Sequence, residues 1–231
     1  MNILRNRPIG IIDSGVGGLS MLKNLIKYYE GENYIYLADN LYMPYGNKSK
    51  TCLKSRLNKL VEFLYNNYNV KLVIIACNTL SITTLTGLKN KLPVKIIGLD
   101  LNDLAKNALV LCTKLTSKGY THLNAKPLSR LATIIEDNIF DTNKIERTIK
   151  NSLTKLEIQE KDIILGCTHY ELVGNTFKKL FPDKNFILPC EQFVKSIQLD
   201  YKNPQIKGNI LMLATQPTKS YIDKLWKVFK G

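Results

Sequence analysis

Short apolar runs recur along the chain, each closed by small or polar residues, with helical periodicities in the gaps between them. The first is Ile9-Gly10-Ile11-Ile12, followed by the turn Asp13-Ser14-Gly15-Val16-Gly17-Gly18. Leu19, Leu22, Leu25 and Ile26 have helical spacing and predict a helix over Leu19 to Tyr29. Asn33 to Ala38 predicts a second strand ending at Asp39. A loop containing Pro44-Tyr45-Gly46 follows, then a long helix over Thr51 to Asn67. Val70 to Ala76, Ser81 to Lys91 and Val94 to Leu99 read as strand, helix and strand. This β-α-β-α-β-α-β order argues for a parallel α/β sheet with right-handed crossovers.

The rest of the chain repeats the theme on a smaller scale. Leu101 to Lys106 predicts a helix and Ala108 to Cys112 a strand, before a compact stretch rich in turn formers, Thr113 to Asn124. Leu128 to Asn138 is amphipathic and contains Glu136. Asn143 to Leu156 predicts a helix, Lys161 to Gly166 a strand, and Glu171 to Leu180 a helix. Phe186 to Pro189 reads as a short strand, Gly208 to Ala214 as a last strand and Lys219 to Phe229 as a closing helix. No low-complexity linker separates the halves. The expected fold class is α/β: two pseudo-symmetric parallel-sheet α/β domains with the active site in the cleft between them. The expected division is residues 1–98 plus 189–231 for the first domain and a shorter second domain over 99–188.

Two runs stand apart from the others. Val73-Ile74-Ile75-Ala76-Cys77-Asn78-Thr79 and Ile163-Ile164-Leu165-Gly166-Cys167-Thr168-His169 each read as a buried parallel strand with a thiol at its C-terminal tip. Open α/β sheets bind ligands at that edge. The recurrence is too weak to count as a sequence repeat, but it suggests a pseudo-twofold arrangement around a cleft.

Composition narrows the function classes. Of 231 residues, 45% are hydrophobic and 23% charged, a globular mixture, and no apolar run is long enough to span a membrane. Ile9 to Ile12, broken by Gly10, is a first strand rather than a signal peptide, so the expected compartment is the cytoplasm. The formal net charge of +14 raises the question of a nucleic-acid partner. The lysines are scattered along the whole chain, with no basic cluster interleaved with aromatics, so a lysine-rich compositional bias is the better reading. Five cysteines (Cys52, Cys77, Cys112, Cys167 and Cys190) form no CxxC pair, and only His122 and His169 could join them, which argues against a structural zinc site.

A thiol where a strand ends and a helix begins lies near unpaired backbone N–H groups, an environment that lowers its pKa towards neutrality. The plain alternative for Cys77 and Cys167 is a buried structural cysteine; their occurrence in equivalent places favours chemistry. Cys52, Cys112 and Cys190 have no such setting. His169 could orient or protonate Cys167, and Asp13 could serve the other thiol; the alternatives are a structural histidine and a helix-capping aspartate. Asn78, Thr79 and Thr168 offer neutral donors suited to a carboxylate, or cap their helices. Tyr45-Gly46 could close over a ligand. Gly15-Val16-Gly17-Gly18, with Asp39 further on, imitates a dinucleotide fingerprint, but the third glycine falls at Ser20 and the motif leaves the two thiols without a role.

Taken together, Ile9 to Leu19, Pro44-Tyr45-Gly46, Ala76-Cys77-Asn78-Thr79 and Gly166-Cys167-Thr168-His169-Tyr170 make the chain resemble the glutamate racemases, of the cofactor-independent aspartate/glutamate racemase superfamily. The resemblance covers most of the chain. It implies two α/β domains, no cofactor and no metal, and a cysteine on each face of a small amino-acid substrate, glutamate. It implies Cys77 and Cys167 as the acid/base pair, with Asp13, His169 and Glu136 as further catalytic positions. Asp13, Ser14, Tyr45, Gly46, Asn78, Thr79, Thr116, Thr168 and His169 fall on substrate-contact positions. The product implied is D-glutamate for peptidoglycan; a homodimer is compatible with this reading, while membrane and nucleic-acid partners are not expected. The chemistry is consistent: inversion at Cα needs one group to remove the proton and another to supply one from the opposite face, with electrostatic stabilisation of the carbanion.

The chain departs from the family pattern at Asn40, Tyr42, Leu80 and Glu171. After Thr116 it is shorter by about eleven residues, roughly three helical turns. These departures motivate two other readings, an aspartate or other amino-acid racemase and a catalytically impaired homologue that binds an acidic partner.

Overall fold

Nine strands, each parallel to its neighbours, make two sheets in a computed structural model that describes residues 7–85, 92–105, 107–199 and 208–231. In the first sheet the order is β4-β3-β1-β2-β9, built from β1 (Ile9–Asp13), β2 (Tyr34–Ala38), β3 (Leu72–Ile75), β4 (Lys95–Gly98) and β9 (Ile210–Ala214). In the second the order is β6-β5-β7-β8, built from β5 (Leu109–Cys112), β6 (Ala125–Pro127), β7 (Asp162–Gly166) and β8 (Asn185–Ile187). The helices are α1 (Leu19–Tyr28), α2 (Lys50–Tyr68), α3 (Asn78–Thr84), α4 (Lys114–Gly119), α5 (Leu131–Asn138), α6 (Thr142–Thr154), α7 (Thr168–Leu172), α8 (Gly174–Leu180), α9 (Pro189–Ser196) and α10 (Lys219–Lys230). None of the described helices is long and apolar enough to cross a membrane.

The period-two alternation of the strands sorts their side chains onto two faces. In the first sheet Ile9, Ile11, Tyr36 and Ile74 pack on Leu19, Leu22 and Leu25 of α1, Val194 of α9 and Leu225 of α10. Ile12, Leu37, Val73 and Ile75 pack on Leu53, Leu57, Leu60 and Leu64 of α2. The second sheet buries Leu109, Leu111, Ile163 and Leu165 against α5, α6 and α8, and Val110 and Ile164 against Leu101, Ala105 and Tyr120. Strands covered on both faces read as continuous apolar runs, which is why they are visible in the sequence.

Chain order fixes where a ligand can sit. From β1 the chain crosses to β2 on one side and later to β3 on the other, so a crevice opens between the C-terminal ends of β1 and β3. The second sheet does the same at β5, with β6 on one side and β7 on the other. Asp13 and Cys77 flank the first crevice, Thr113 and Cys167 the second.

Five elements differ from the sequence expectation. The helix expected at Ser81 begins at Asn78, because buried polar residues fill its first turn and conceal it from hydrophobic periodicity; residues 86–91 of that expectation lie outside the described residues. The helix expected from Leu101 is a single turn: the Asp100 side chain accepts from the Asn102 N–H, and Leu101 O accepts from Leu104 and Ala105. The turn-rich stretch after Thr113 contains α4, capped by the Thr113 hydroxyl, and β6 beyond it. The helix expected over Glu171 to Leu180 starts earlier, at Thr168, and is broken at Val173 into α7 and α8. Pro189, expected to end a strand, opens α9, where its missing N–H costs nothing.

Glu171 is buried at the seam between α7 and α9, its carboxylate accepting from the Cys190 N–H at 3.1 and 3.2 Å. Burial is the main cause that raises its pKa to about 8, against hydrogen bonds from Cys190 that lower it. A carboxyl whose folded pKa lies above its unfolded value of 4.5 loses stability as pH rises from 4.5 towards 8. Glu171→Gln keeps the acceptor and removes the titration. It is expected to raise the melting temperature at pH 8 relative to the native chain and to change it little at pH 4.5, as read by thermal melts at both values.

Candidate active site

Both thiols occupy the N-cap position of a helix that follows a strand tip: Cys77 before α3 and Cys167 before α7, each 6% exposed. At Cys77 burial dominates and pushes the thiol well above its ordinary range; Asp13 and Cys167 push the same way, while the Leu80 and Thr79 amides pull it down. The expectation that a helix N-terminus would bring this thiol towards neutrality is therefore reversed: desolvation outweighs the local amides. Cys167 lies near enough to Cys77 for its charge to reach that thiol. Cys112 and Cys190 are buried and Cys52 half-buried, all as free thiols.

The turn after β1 is where the two halves interlock. Asp13 is fully buried; its Oδ1 accepts from the Gly15 N–H and its Oδ2 from the Thr168 hydroxyl, both at 3.0 Å. It braces the turn and α7 rather than capping α1, whose N-cap, Gly18, receives no side-chain bond. Burial is the largest cause that raises the Asp13 pKa, with the His169 charge acting against it. Ser14 is buried in the same turn. A Cβ at Gly17 would lie 2.5 Å from His169 Nδ1 and 2.6 Å from Thr168 Oγ1. The glycine run thus allows the turn to touch the first residues of α7. Gly17→Ala is expected to cost about 1–3 kcal/mol by overpacking and to displace His169, giving a lower urea midpoint together with lower activity.

His169 and Glu136 form a buried ion pair, Nε2 to Oε2 at 2.8 Å. Glu136 Oε2 also accepts from the Val16 N–H at 2.8 Å, and Oε1 accepts from Tyr221 Oη at 2.9 Å and Lys224 Nζ at 3.1 Å. Burial opposes ionisation of Glu136, but His169, Lys224 and the Val16 amide outweigh it and hold the carboxyl at about 2. Burial likewise opposes the His169 cation, and its contacts with Cys167 and Glu136 overcome this, raising it to about 10. A cationic imidazole thus stands beside Cys167.

On the opposite wall, the hydroxyls of Thr79, Thr113 and Thr116 form a closed triangle with sides of 2.9, 3.0 and 2.9 Å. It joins α3 to α4 and brings Thr116 to the Cys77 side. The Asn78 amide is buried, and neither its oxygen nor its nitrogen has a partner. A buried amide left open at both ends is costly unless a ligand completes it. Gly46 packs beside Thr113, with a Cβ there 3.3 Å from Thr113 Cβ. The Tyr45 hydroxyl donates to Asp39 at 2.7 Å, so the phenol braces its loop. Asp39 is further held by Arg56 and Thr215.

Of the site residues expected from sequence, Asp13, Thr168, His169 and Glu136 are thus joined in one cluster and Thr79, Thr116 and Gly46 meet at Thr113 in another, with the Tyr45 phenol turned onto Asp39. Sequence reasoning did not find Thr113, Tyr221 and Lys224. Thr113 could have been suspected from its place after β5, equivalent to a strand-tip residue; Tyr221 and Lys224 lie on an amphipathic helix whose polar positions give no sign of turning inward. Among the described residues no cluster of His, Cys, Asp and Glu is arranged to hold a metal ion.

Two parallel α/β sheets, each with a buried thiol at its crevice, are the layout expected of an amino-acid racemase, an isomerase. A solved glutamate racemase isoform from Bacillus anthracis superposes with a TM-score of 0.80 at 27% identity, covering 96% of this chain and 94% of that one. The glutamate racemase of Sulfurihydrogenibium sp. (strain YO3AOP1) is 31% identical over 97% of this chain and 94% of its own length. That of Carboxydothermus hydrogenoformans is 33% identical over 87% of this chain and 82% of its own. No family model matches the chain. On these likenesses the chain belongs to the glutamate racemase family.

Proposed function

We propose that the chain interconverts L- and D-glutamate by moving the Cα proton between Cys77 and Cys167. The observation that carries this reading is the pair of buried thiols, each at the switch point of its own sheet. One thiolate removes the Cα proton while the opposite thiol delivers another; the reverse direction exchanges their roles. Burial keeps the Cys77 proton in place, the form needed for delivery, and the His169 cation stands beside Cys167. The open Asn78 amide, with an NH2 to donate and an oxygen to accept, suits the carboxylate and ammonium of an amino acid. D-glutamate made in this way would serve peptidoglycan.

The same reading divides the chain into residues 1–98 plus 189–231 and residues 99–188, in keeping with the strands each sheet draws on. Incubating the purified protein with L-glutamate in deuterium oxide tests the function. Deuterium is expected at Cα as optical rotation decays to zero, with glutamate preferred over aspartate. Absence of exchange at high protein concentration overturns the proposal; a preference for aspartate replaces the substrate.

A further inference from the structure

The C-terminal helix α10 follows the outermost strand of the first sheet, yet two of its side chains end on the Cys167 side of the site. Tyr221 Oη and Lys224 Nζ both donate to Glu136 Oε1, and Lys224 also donates to the Glu136 main-chain carbonyl. The remaining oxygen, Oε2, is thereby left to the Val16 N–H and to His169 Nε2. One oxygen of a single carboxylate is fixed by α10 and the other by the turn after β1 and by α7. Rotation of the carboxylate would break both sets of bonds together. The Lys224 side chain is 21% exposed, so its charge is partly desolvated and acts at short range.

We propose that Tyr221 and Lys224 are positioning residues for Cys167: by fixing one oxygen of Glu136 they hold the other on His169, and Lys224 supplies the positive charge that a thiolate at Cys167 requires. The inference rests on the two-thiol reading above. Its charge balance is explicit. Glu136 and His169 alone cancel, and a thiolate added to them would be an uncompensated buried anion. With Lys224 the three sum to one positive charge, and the thiolate brings the group to neutrality. Asp13, on β1, is the other acid facing this cluster, and its burial favours the protonated form.

Steady-state rates alone cannot single out one thiol. Racemisation has an equilibrium constant of one, so kcat/KM is equal in both directions for every variant. Thiol labelling can. The native chain, Lys224→Met, Lys224→Arg and Tyr221→Phe would be treated with iodoacetamide, and the labelling rates of Cys167 and Cys77 read separately by peptide mass spectrometry. In Lys224→Met the ratio of Cys167 to Cys77 labelling is expected to fall about tenfold, the size of one lost charge interaction in a partly buried site. Lys224→Arg is expected to restore it and Tyr221→Phe to lower it a few-fold.

A purely architectural role for α10 predicts the opposite, faster labelling of both thiols as the site loosens. An unchanged or raised ratio in Lys224→Met overturns the proposal. Should Lys224→Met not fold, Tyr221→Phe, which removes a single hydroxyl, decides by the same ratio. Racemisation by the native chain is measured alongside: its absence removes the two-thiol reading, whereas racemisation with an unmoved ratio removes only the role given to α10.

Discussion

Cys77→Ala and Cys167→Ala are each expected to lower racemisation by at least about a thousandfold, within the range of a lost general acid/base. Each thiol is buried at its own crevice. Cys112 lies nearest in kind, at the tip of β5, but burial holds it up at about 12, so it does not substitute as a base. The variants are also expected to separate inversion from exchange. A chain with one thiol can remove and return a proton on one face only. It washes deuterium from solvent into one enantiomer without inverting it, and the two variants act on opposite enantiomers. Proton NMR of Cα in deuterium oxide, run with L- and D-glutamate in turn, reads this directly. Full racemisation by either single-thiol chain would remove the two-base mechanism.

Glu136→Gln is expected to destabilise the fold by about 3–5 kcal/mol, the usual cost of stripping one partner from a buried ion pair. His169 and Lys224 would then face each other without the intervening anion. The loss has a definite pH shape. The Glu136 carboxyl is held below its unfolded value of 4.5, so its contribution is complete above 4.5 and is lost as pH falls towards about 2. The His169 imidazole is raised above its unfolded value of 6.5, so its contribution is complete below 6.5 and is lost as pH rises towards about 10. The difference between native chain and variant is therefore largest between pH 4.5 and 6.5 and narrows on both sides. Urea unfolding at pH 3, 5.5 and 9 measures it; a difference that does not vary with pH would mean that the pair is not ionised in the fold. In the variant the imidazole is expected to titrate nearer its ordinary value, visible by NMR because the chain has only two histidines.

What the sequence discloses is governed by whether a residue's role depends on its neighbours along the chain or across the fold. The strands carrying Cys77 and Cys167 are legible because burial on both faces demands uninterrupted β-branched residues, and the polar residues after them mark the tip. Cys77, Asn78 and Thr79 gather with Asp13 because strand order forces it. The start of α7 is not legible: Thr168, His169, Tyr170 and Glu171 are all buried, so no polar face sets a helical period. Nor is the proton preference of Cys77, which local reasoning assigns to the helix amides and the fold assigns to desolvation. Glu136 can be placed only by likeness to a family, since its four partners come from residues 16, 169, 221 and 224, all distant in sequence.

The three threonine hydroxyls between α3 and α4 have a consequence for how the two walls communicate. A ring of three O–H groups consumes all three of its protons internally, each hydroxyl giving one bond and taking one. It can circulate in either sense, and in both it offers nothing outward except lone pairs. A carboxylate needs protons, not lone pairs, so one that drew a bond from any of the three would turn the circle into an open chain. The hydroxyl that had accepted the diverted bond would be left with a free lone pair, Thr113 beside Gly46 in one of the two senses of the circle. Contact with an anion at one hydroxyl would in this way be registered at another, between α3 and α4, without any movement of backbone.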